Sequence, residues 1–307
     1  MKRRHVPPAT IAESLRGIER RFRSARLAYG HGTHDASEEA AWLVCHVLRI
    51  PFDRLSEAQD GAVSAAAGRR LAALTDRRIR TREPLAYVLR EAWLQHRRFY
   101  VDRRVIVPRS HIAELLPDGL SPWLPERGPR RMLDLCTGSG CLAILAAQAF
   151  TRARVDASDV SAAALAVARR NVGEYQLRRR VRLVRSDLFD ALAGAQYDLI
   201  LCNPPYVPAA GMRRLPAEYR HEPHLALASG RDGLDFVRRL IALAADHLAR
   251  RGLLVVEVGD GRAAVERAFP RLAVTWLESA AGHDLVFAVT REALTSRPRA
   301  GSAPGIS

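Results

Sequence analysis

"YDLILCNPPYV", residues 197–207, runs from a string of apolar residues into Asn203, two prolines and Tyr206. Leu199 to Cys202 reads as a short central strand of a parallel sheet, apolar because both faces are covered. Two consecutive prolines then remove two backbone donors and restrict the residue before each, so the strand must stop. A plain turn needs no such sequence. Asn-Pro-Pro-Tyr adds rigidity, and it holds an amide and an aromatic ring at the C-terminal end of a strand. In open parallel sheets, ligands bind there.

Outward from this segment the chain alternates strand and helix. "RMLDLC", "ARVDASD", "VRLVRSD", "YDLILCN" and "GLLVVEVGD" read as five parallel strands, with helices such as "SAAALAVARRNV" between them. "LAVTWLE" and "DLVFAVT" add an antiparallel pair, which gives a seven-stranded, mostly parallel α/β sheet over residues 131–290. Residues 1–117 read as mainly helical. "ASEEAAWLVCHVL" has helical spacing with Asp35 and Glu38 set as a capping box, and a second helix spans Ser64 to Arg82 before Pro84. "RRFYVDRRVIVP" alternates like a hairpin, and "HIAELL" reads as a short helix. The proline- and glycine-rich stretch 118–130 is the expected linker, and 291–307 the expected disordered tail.

Composition narrows the class. Of 307 residues, 48% are hydrophobic and 26% charged, as in globular proteins, and no run approaches the roughly 18 apolar residues of a membrane span. The basic "MKRRHVPPAT" is followed by no apolar core, so a secretory signal is not expected and a cytoplasmic location is. Cys45, Cys136, Cys141 and Cys202 show no zinc spacing and are expected as free thiols, without a metal. The net charge of +15 fits work near an acidic partner or environment, for which RNA-rich assemblies qualify. Sparse aromatics and the absence of long basic runs argue against direct sequence-specific nucleic-acid binding.

"LDLCTGSGCLAI" places Gly138 and Gly140 between a strand and a helix, where backbone amides can approach a ligand. The third glycine of a dinucleotide fingerprint is absent, because Ala143 stands in its place. Alone, the loop is equally a tight strand-to-helix turn. Asp159, about twenty residues on, is placed to accept ribose hydroxyls. Asp187, beside Leu188 and Phe189, can flank an adenine, and Asp134 can face an amino-acid end. Any one of these can be an ordinary surface or capping aspartate. At successive strand ends they point to a nucleoside cofactor without pyrophosphate, which S-adenosylmethionine satisfies. The fold expected is then the Rossmann-like class I methyltransferase domain.

A methyl donor beside Asn-Pro-Pro-Tyr suggests a planar nitrogen as acceptor. Such nitrogens are poor nucleophiles because their lone pairs are delocalised. The Asn203 side-chain oxygen and the Pro204 carbonyl can accept both N–H groups and orient the lone pair. Pro204 and Pro205 keep that carbonyl fixed, and Tyr206 can pack on the planar group.

With "YGHGT" (29–33), "FYVDRRVIVPRSHIAELL" (99–116), "SDLF" (186–189), "CNPPYV" (202–207) and "EYRHEPHLALASGRDGL" (218–234), the chain resembles the HemK/PrmC-like protein-(glutamine-N5) methyltransferases of the translation apparatus. The resemblance runs from about residue 11 to 290. It implies that Asn203, Pro204, Pro205 and Tyr206 bind the target glutamine, and that Thr137, Gly138, Ser139, Gly140, Cys141 and Asp159 contact the cofactor. Asp187 and Leu188 fall beside the adenine, with Arg109 and Glu222 near the mouth of the site. Ser110 and His111 stand where the release-factor branch carries an acidic residue, which favours the branch acting on large-subunit ribosomal protein three. Release-factor methylation, adenine-N6 DNA methylation and a non-catalytic assembly factor are the rival readings. One departure is "AGHDLVF" (281–287), where the family has a more glycine-rich turn. The helical region is expected to select the substrate, and a fragment starting near Pro117 to keep cofactor binding.

Overall fold

Residues 9–124, 127–280 and 282–296 are described by the computed structural model of the chain. Helix α1 (Ile11–Ser24) opens with a full capping box, Thr10 Oγ1 accepting from Glu13 N and Glu13 returning to Thr10 N. In α2 (Ala36–Leu48), Asp35 accepts from the Ser37 and Glu38 amides, but Glu38 reaches back to the His34 amide. The expected box is therefore displaced by one residue. Helix α3 (Ala65–Thr81) ends before Pro84, and α4 (Leu85–Leu89) follows it directly. Phe22, Leu43, Leu71 and Leu85 from these four helices meet in one apolar core.

The hairpin departs from its predicted register. Strands β1 (Ala92–Leu94) and β2 (Arg97–Phe99) pair through Gln95 and His96, both at positive φ (48° and 56°). That is the backbone of the tight hairpin turns that match strand twist, reached here without the usual Asn-Gly. Residues 100–108 form no second strand. Helix α5 (Ile112–Leu115) then packs on the large sheet, as do Leu120 and Leu124 from the stretch expected as linker.

The sheet holds β3 (Arg131–Leu135), β4 (Arg154–Asp159), β5 (Val181–Arg185), β6 (Tyr197–Cys202), β7 (Leu248–Glu257), β8 (Thr275–Ser279) and β9 (Gly282–Thr290). Their order is β5-β4-β3-β6-β7-β9-β8, parallel through β7 and antiparallel at β9 and β8. Side chains alternate between faces: Leu199, Leu201, Leu253 and Val255 enter one core, and Ile200, Cys202, Leu254 and Val256 the other. Helix α6 (Cys141–Ala149) covers the first face, and α7 (Ala162–Glu174) follows β4. Short α8 (Ala209–Met212), α9 (Asp235–His247) and α10 (Arg262–Ala268) complete the domain, with Val237, Leu240 and Val265 in the second core.

The tail expected to be disordered from residue 291 instead begins with α11 (Arg291–Thr295), capped by Thr290 and anchored by buried Leu294. Residues 297–307, the rest of that expectation, lie outside the described residues, as does Ala281 of the "AGHDLVF" turn. All four cysteines are free thiols. Among the described residues no helix is long and apolar enough to cross a membrane.

Candidate active site

Strand order reverses between β3 and β6, so the loops leaving their C-terminal ends diverge and open a crevice. A cavity of about 260 Å³ lies there. Its walls are Leu135, Cys136 and Gly138 from β3 and its loop, Ser158 to Ser161 from β4, Ser186 to Leu188 from β5, and Asn203 and Pro205 from β6. Arg104, Val105 and Ile106 from the N-terminal region and Pro223, Leu225 and Ala226 complete the enclosure.

The glycine loop is built for close approach. Cys136, Gly138 and Gly140 all have positive φ. At Gly140 a Cβ would sit 3.1 Å from Ala168 Cβ, so glycine lets the loop pack onto α7. Asn171 of α7 ties the loop down, its Nδ2 donating to Ser139 O (2.8 Å) and Tyr100 O (3.0 Å). The Thr137 amide donates to Ser158 O. Of residues 137–141, only Gly138 lines the cavity, and a Cβ there would meet nothing nearer than Cys136 O at 3.9 Å.

Asp134 sits beneath the glycine loop. It is 1% exposed and lines no part of the cavity. Its Oδ2 accepts from Thr137 Oγ1 (2.5 Å) and from Ala143 N (3.0 Å) at the start of α6. The alternation of β3 puts it on the same covered face as Met132, where it braces the loop from beneath. Burial pushes its carboxyl up to about 7 against the pull of those two donors.

Asp159 does reach the cavity. Its Oδ2 accepts from Gly138 N (2.9 Å) and its Oδ1 from Ser161 N (2.8 Å), and each oxygen keeps a lone pair for a further donor. Burial raises its pKa, with both amides opposing. Asp187 lines the cavity while pairing with Arg239 (2.9 Å), and Leu188 lies beside it. Phe189 turns away to stack on His247 at 4.1 Å. A diol acceptor beside Gly138, followed by an apolar edge at Leu188, fits a nucleoside.

Asn203 forms the inner wall. Its Nδ2 donates to the Arg109 carbonyl at a long 3.4 Å, which leaves Oδ1 free to accept from a ligand. Pro204 is buried. A Cβ at Gly233 would lie 2.3 Å from Tyr206 O, and one at Gly259 would lie 2.8 Å from Tyr206 Cε2. The Tyr206 backbone and ring are thus wedged against two glycines, outside the cavity lining. Burial raises the Tyr206 pKa, and the Glu257 charge adds to that.

Arg109 and Glu222 lie behind this wall. Glu222, with no exposed side chain, accepts two hydrogen bonds of 2.6 Å from the Arg109 guanidinium and one of 2.9 Å from Val107 N. Burial works to lower the Arg109 pKa, but the Glu222 carboxylate outweighs it and holds the group above its ordinary value.

Several residues that were not candidates from sequence support the site. Glu218 is fully buried and meets Arg82 (2.7 Å) and the Ala28 amide (3.0 Å). His31 packs against Tyr219 with ring centroids 4.2 Å apart and planes tilted by 48°, and Gly30 lies against the Tyr219 hydroxyl. The segment 218–222 is thereby locked into the helical region. Glu257, at the end of β7, accepts from Ser110 Oγ (2.8 Å) and His111 N (2.9 Å).

Residues 119–215 match the family model "Methyltransferase small domain" and residues 14–89 match "PrmC N-terminal domain". The ribosomal protein uL3 glutamine methyltransferase of Bordetella pertussis is 52% identical over 94% of this chain and 97% of its own length. Proteins of the same description from Neisseria meningitidis serogroup B and Burkholderia pseudomallei are each 48% identical, covering 93% and 92% of this chain and 94% and 95% of theirs.

Proposed function

The chain belongs to the ribosomal protein uL3 glutamine methyltransferases, and from that premise we propose that it methylates N5 of a glutamine side chain in uL3, with S-adenosylmethionine as the donor, in the cytoplasm. The observation that carries the chemistry is the orientation of Asn203, whose Nδ2 is engaged by Arg109 O while its Oδ1 is left for a donor. Bound in the cavity, S-adenosylmethionine supplies a methyl group on an electron-poor sulfur. Asp159 would accept from its ribose hydroxyls, Gly138 would let its chain pass close to the loop, and Asp187 and Leu188 would border its adenine.

Asn203 Oδ1 and the Pro204 carbonyl accept the two N–H groups of the glutamine amide. That holds the nitrogen in place and favours pyramidalisation, turning its lone pair toward the cavity. Pro204 and Pro205 restrict the backbone, so the acceptors need little reorganisation as charge develops. No base is needed before attack, because the alkylated nitrogen is acidic and loses its proton readily. The uL3 assignment draws support from near-full-length kinship at about half identity and from Ser110 and His111 after Pro108-Arg109. Contact with ribosomal RNA around the substrate is compatible with the +15 charge.

The test supplies uL3 and a peptide chain release factor side by side with methyl-labelled cofactor and maps the product by mass. Label on a single glutamine of uL3, with the release factor almost unmodified, is expected. Preferential modification of the release factor overturns the assignment.

A further inference from the structure

The backbone between Val107 and His111 is gripped at both ends by buried carboxylates. Glu222 takes the Val107 amide and the Arg109 side chain. Glu257 takes the Ser110 hydroxyl and the His111 amide on one oxygen, Oε2. Between these grips lies the Arg109 carbonyl, the acceptor for Asn203 Nδ2. An amide side chain has two orientations, and the one that presents Oδ1 to a ligand is selected only if Nδ2 has an acceptor elsewhere. The Arg109 carbonyl is that acceptor. The Glu257 side chain is 1% exposed in the residue as a whole, and it lines no part of the cavity. It reaches the cavity wall through the Ser110–His111 segment that it holds.

We propose that Glu257 is a positioning residue for methyl transfer: by fixing Ser110 and His111 it sets the Arg109 carbonyl, and through it the orientation of Asn203. This rests on the reading of Asn203 as the acceptor for the substrate amide. Burial raises the Glu257 pKa against the pull of Ser110, His111 and Ile112. Both donors converge on one oxygen, so a glutamine can present its carbonyl to them. An alanine leaves both donors unpartnered and the segment free to shift. A shift on the order of 1 Å in a reacting group costs on the order of a hundredfold in rate.

The chain contains only two asparagines, Asn171 and Asn203. Labelling asparagine with nitrogen-15 therefore yields two side-chain amide pairs, and Asn171 serves as an internal reference for the fold. In Glu257→Ala the Asn203 pair should move and exchange its protons about tenfold faster or more, while the Asn171 pair stays in place. Glu257→Gln should restore the native Asn203 pair. Turnover on uL3 should fall by roughly a hundredfold in Glu257→Ala, with cofactor affinity unchanged, and recover to within about threefold in Glu257→Gln. In an Asn203→Ala background, Glu257→Ala should cost little more, because both act through one interaction. If Glu257→Ala does not fold, Ser110→Ala removes one of the two donors and should move the same Asn203 pair in the same direction. An unmoved Asn203 pair in either folded variant overturns the proposal. A wild-type enzyme inactive on uL3 would instead overturn the substrate reading, and the resonance test would still decide the role of Glu257.

Discussion

Asn203 Nδ2 donates to the backbone carbonyl of Arg109 across 94 positions of sequence, joining the end of strand β6 to the segment that leaves the helical region. The Asn203 amide is thus oriented by backbone outside the seven-stranded sheet. Neither part completes the site alone.

Asn203→Ala removes both the ligand-facing acceptor and the contact with Arg109. Loss of a preorganised partner at a reacting group costs roughly 2.7–4 kcal/mol, so turnover should drop on the order of a hundredfold or more. Cofactor affinity, measured by calorimetry, should hold. Near-normal turnover in the folded variant would remove Asn203 from the chemistry.

Asp159 carries two duties, since its carboxylate holds the Gly138 and Ser161 amides as well as facing the cavity. Asp159→Ala should weaken S-adenosylmethionine binding by tenfold or more, about 1.4 kcal/mol or above, and change saturated turnover less. Unchanged affinity in titration calorimetry would assign the ribose contact elsewhere.

Much of this site is written in short runs of residues. Strand β6, its rigid Asn203-Pro204-Pro205-Tyr206 exit and the Gly138 loop are local patterns, and Asn203, Pro205 and Gly138 from them line one cavity. Asp134 reads from sequence as a strand end, but the alternation of the strand also sets its face. It shares the covered face with Met132, where a carboxylate can reach only the loop and α6. The hairpin register failed because Gln95 and His96 adopt positive φ without the glycine that normally announces it. Glu218, Glu222 and Glu257 are engaged by residues more than a hundred positions away, and no local spacing encodes such partners.

His31 makes stability depend on pH. The ring is 4% exposed, neither nitrogen has a hydrogen-bond partner, and burial lowers its pKa from 6.5 to about 4, with Arg109 and Arg78 helping and Glu222 and Glu218 opposing. Between these values the unfolded chain binds a proton that the folded chain refuses. Stability is therefore fully present above pH 6.5 and is lost as pH falls toward 4, by up to about 3 kcal/mol. Asp134 works in the opposite sense, losing stability as pH rises from 3.8 toward 7, but its contribution cancels between two proteins that share it. His31→Phe keeps a ring against Tyr219 and removes the titration. Urea unfolding at pH 7 and pH 5 should show the variant gaining on the wild type at the lower pH. Parallel stability profiles would show that His31 is protonated in the folded chain.

Removing the helical region tests how the two parts share the site. From sequence, a fragment starting near Pro117 is expected to keep cofactor binding, because the glycine loop and the Asn-Pro-Pro-Tyr segment both follow residue 130. The cavity changes that expectation. Arg104, Val105 and Ile106 form part of its wall, and Arg109 supplies the carbonyl that orients Asn203. Deletion also strips Glu222 and Glu218 of their arginine partners, and each would become an uncompensated buried carboxylate. Breaking one such pair costs roughly 3–5 kcal/mol, so the segment 218–222 should leave its place rather than remain buried. With it would go Pro223, Leu225 and Ala226, the far wall of the same cavity. The fragment is therefore expected to bind S-adenosylmethionine at least tenfold more weakly than the full chain and to methylate uL3 negligibly. Calorimetry on the fragment, with circular dichroism to confirm that the sheet has folded, measures the first. A folded fragment with full cofactor affinity would show that the helical region contributes to substrate selection alone.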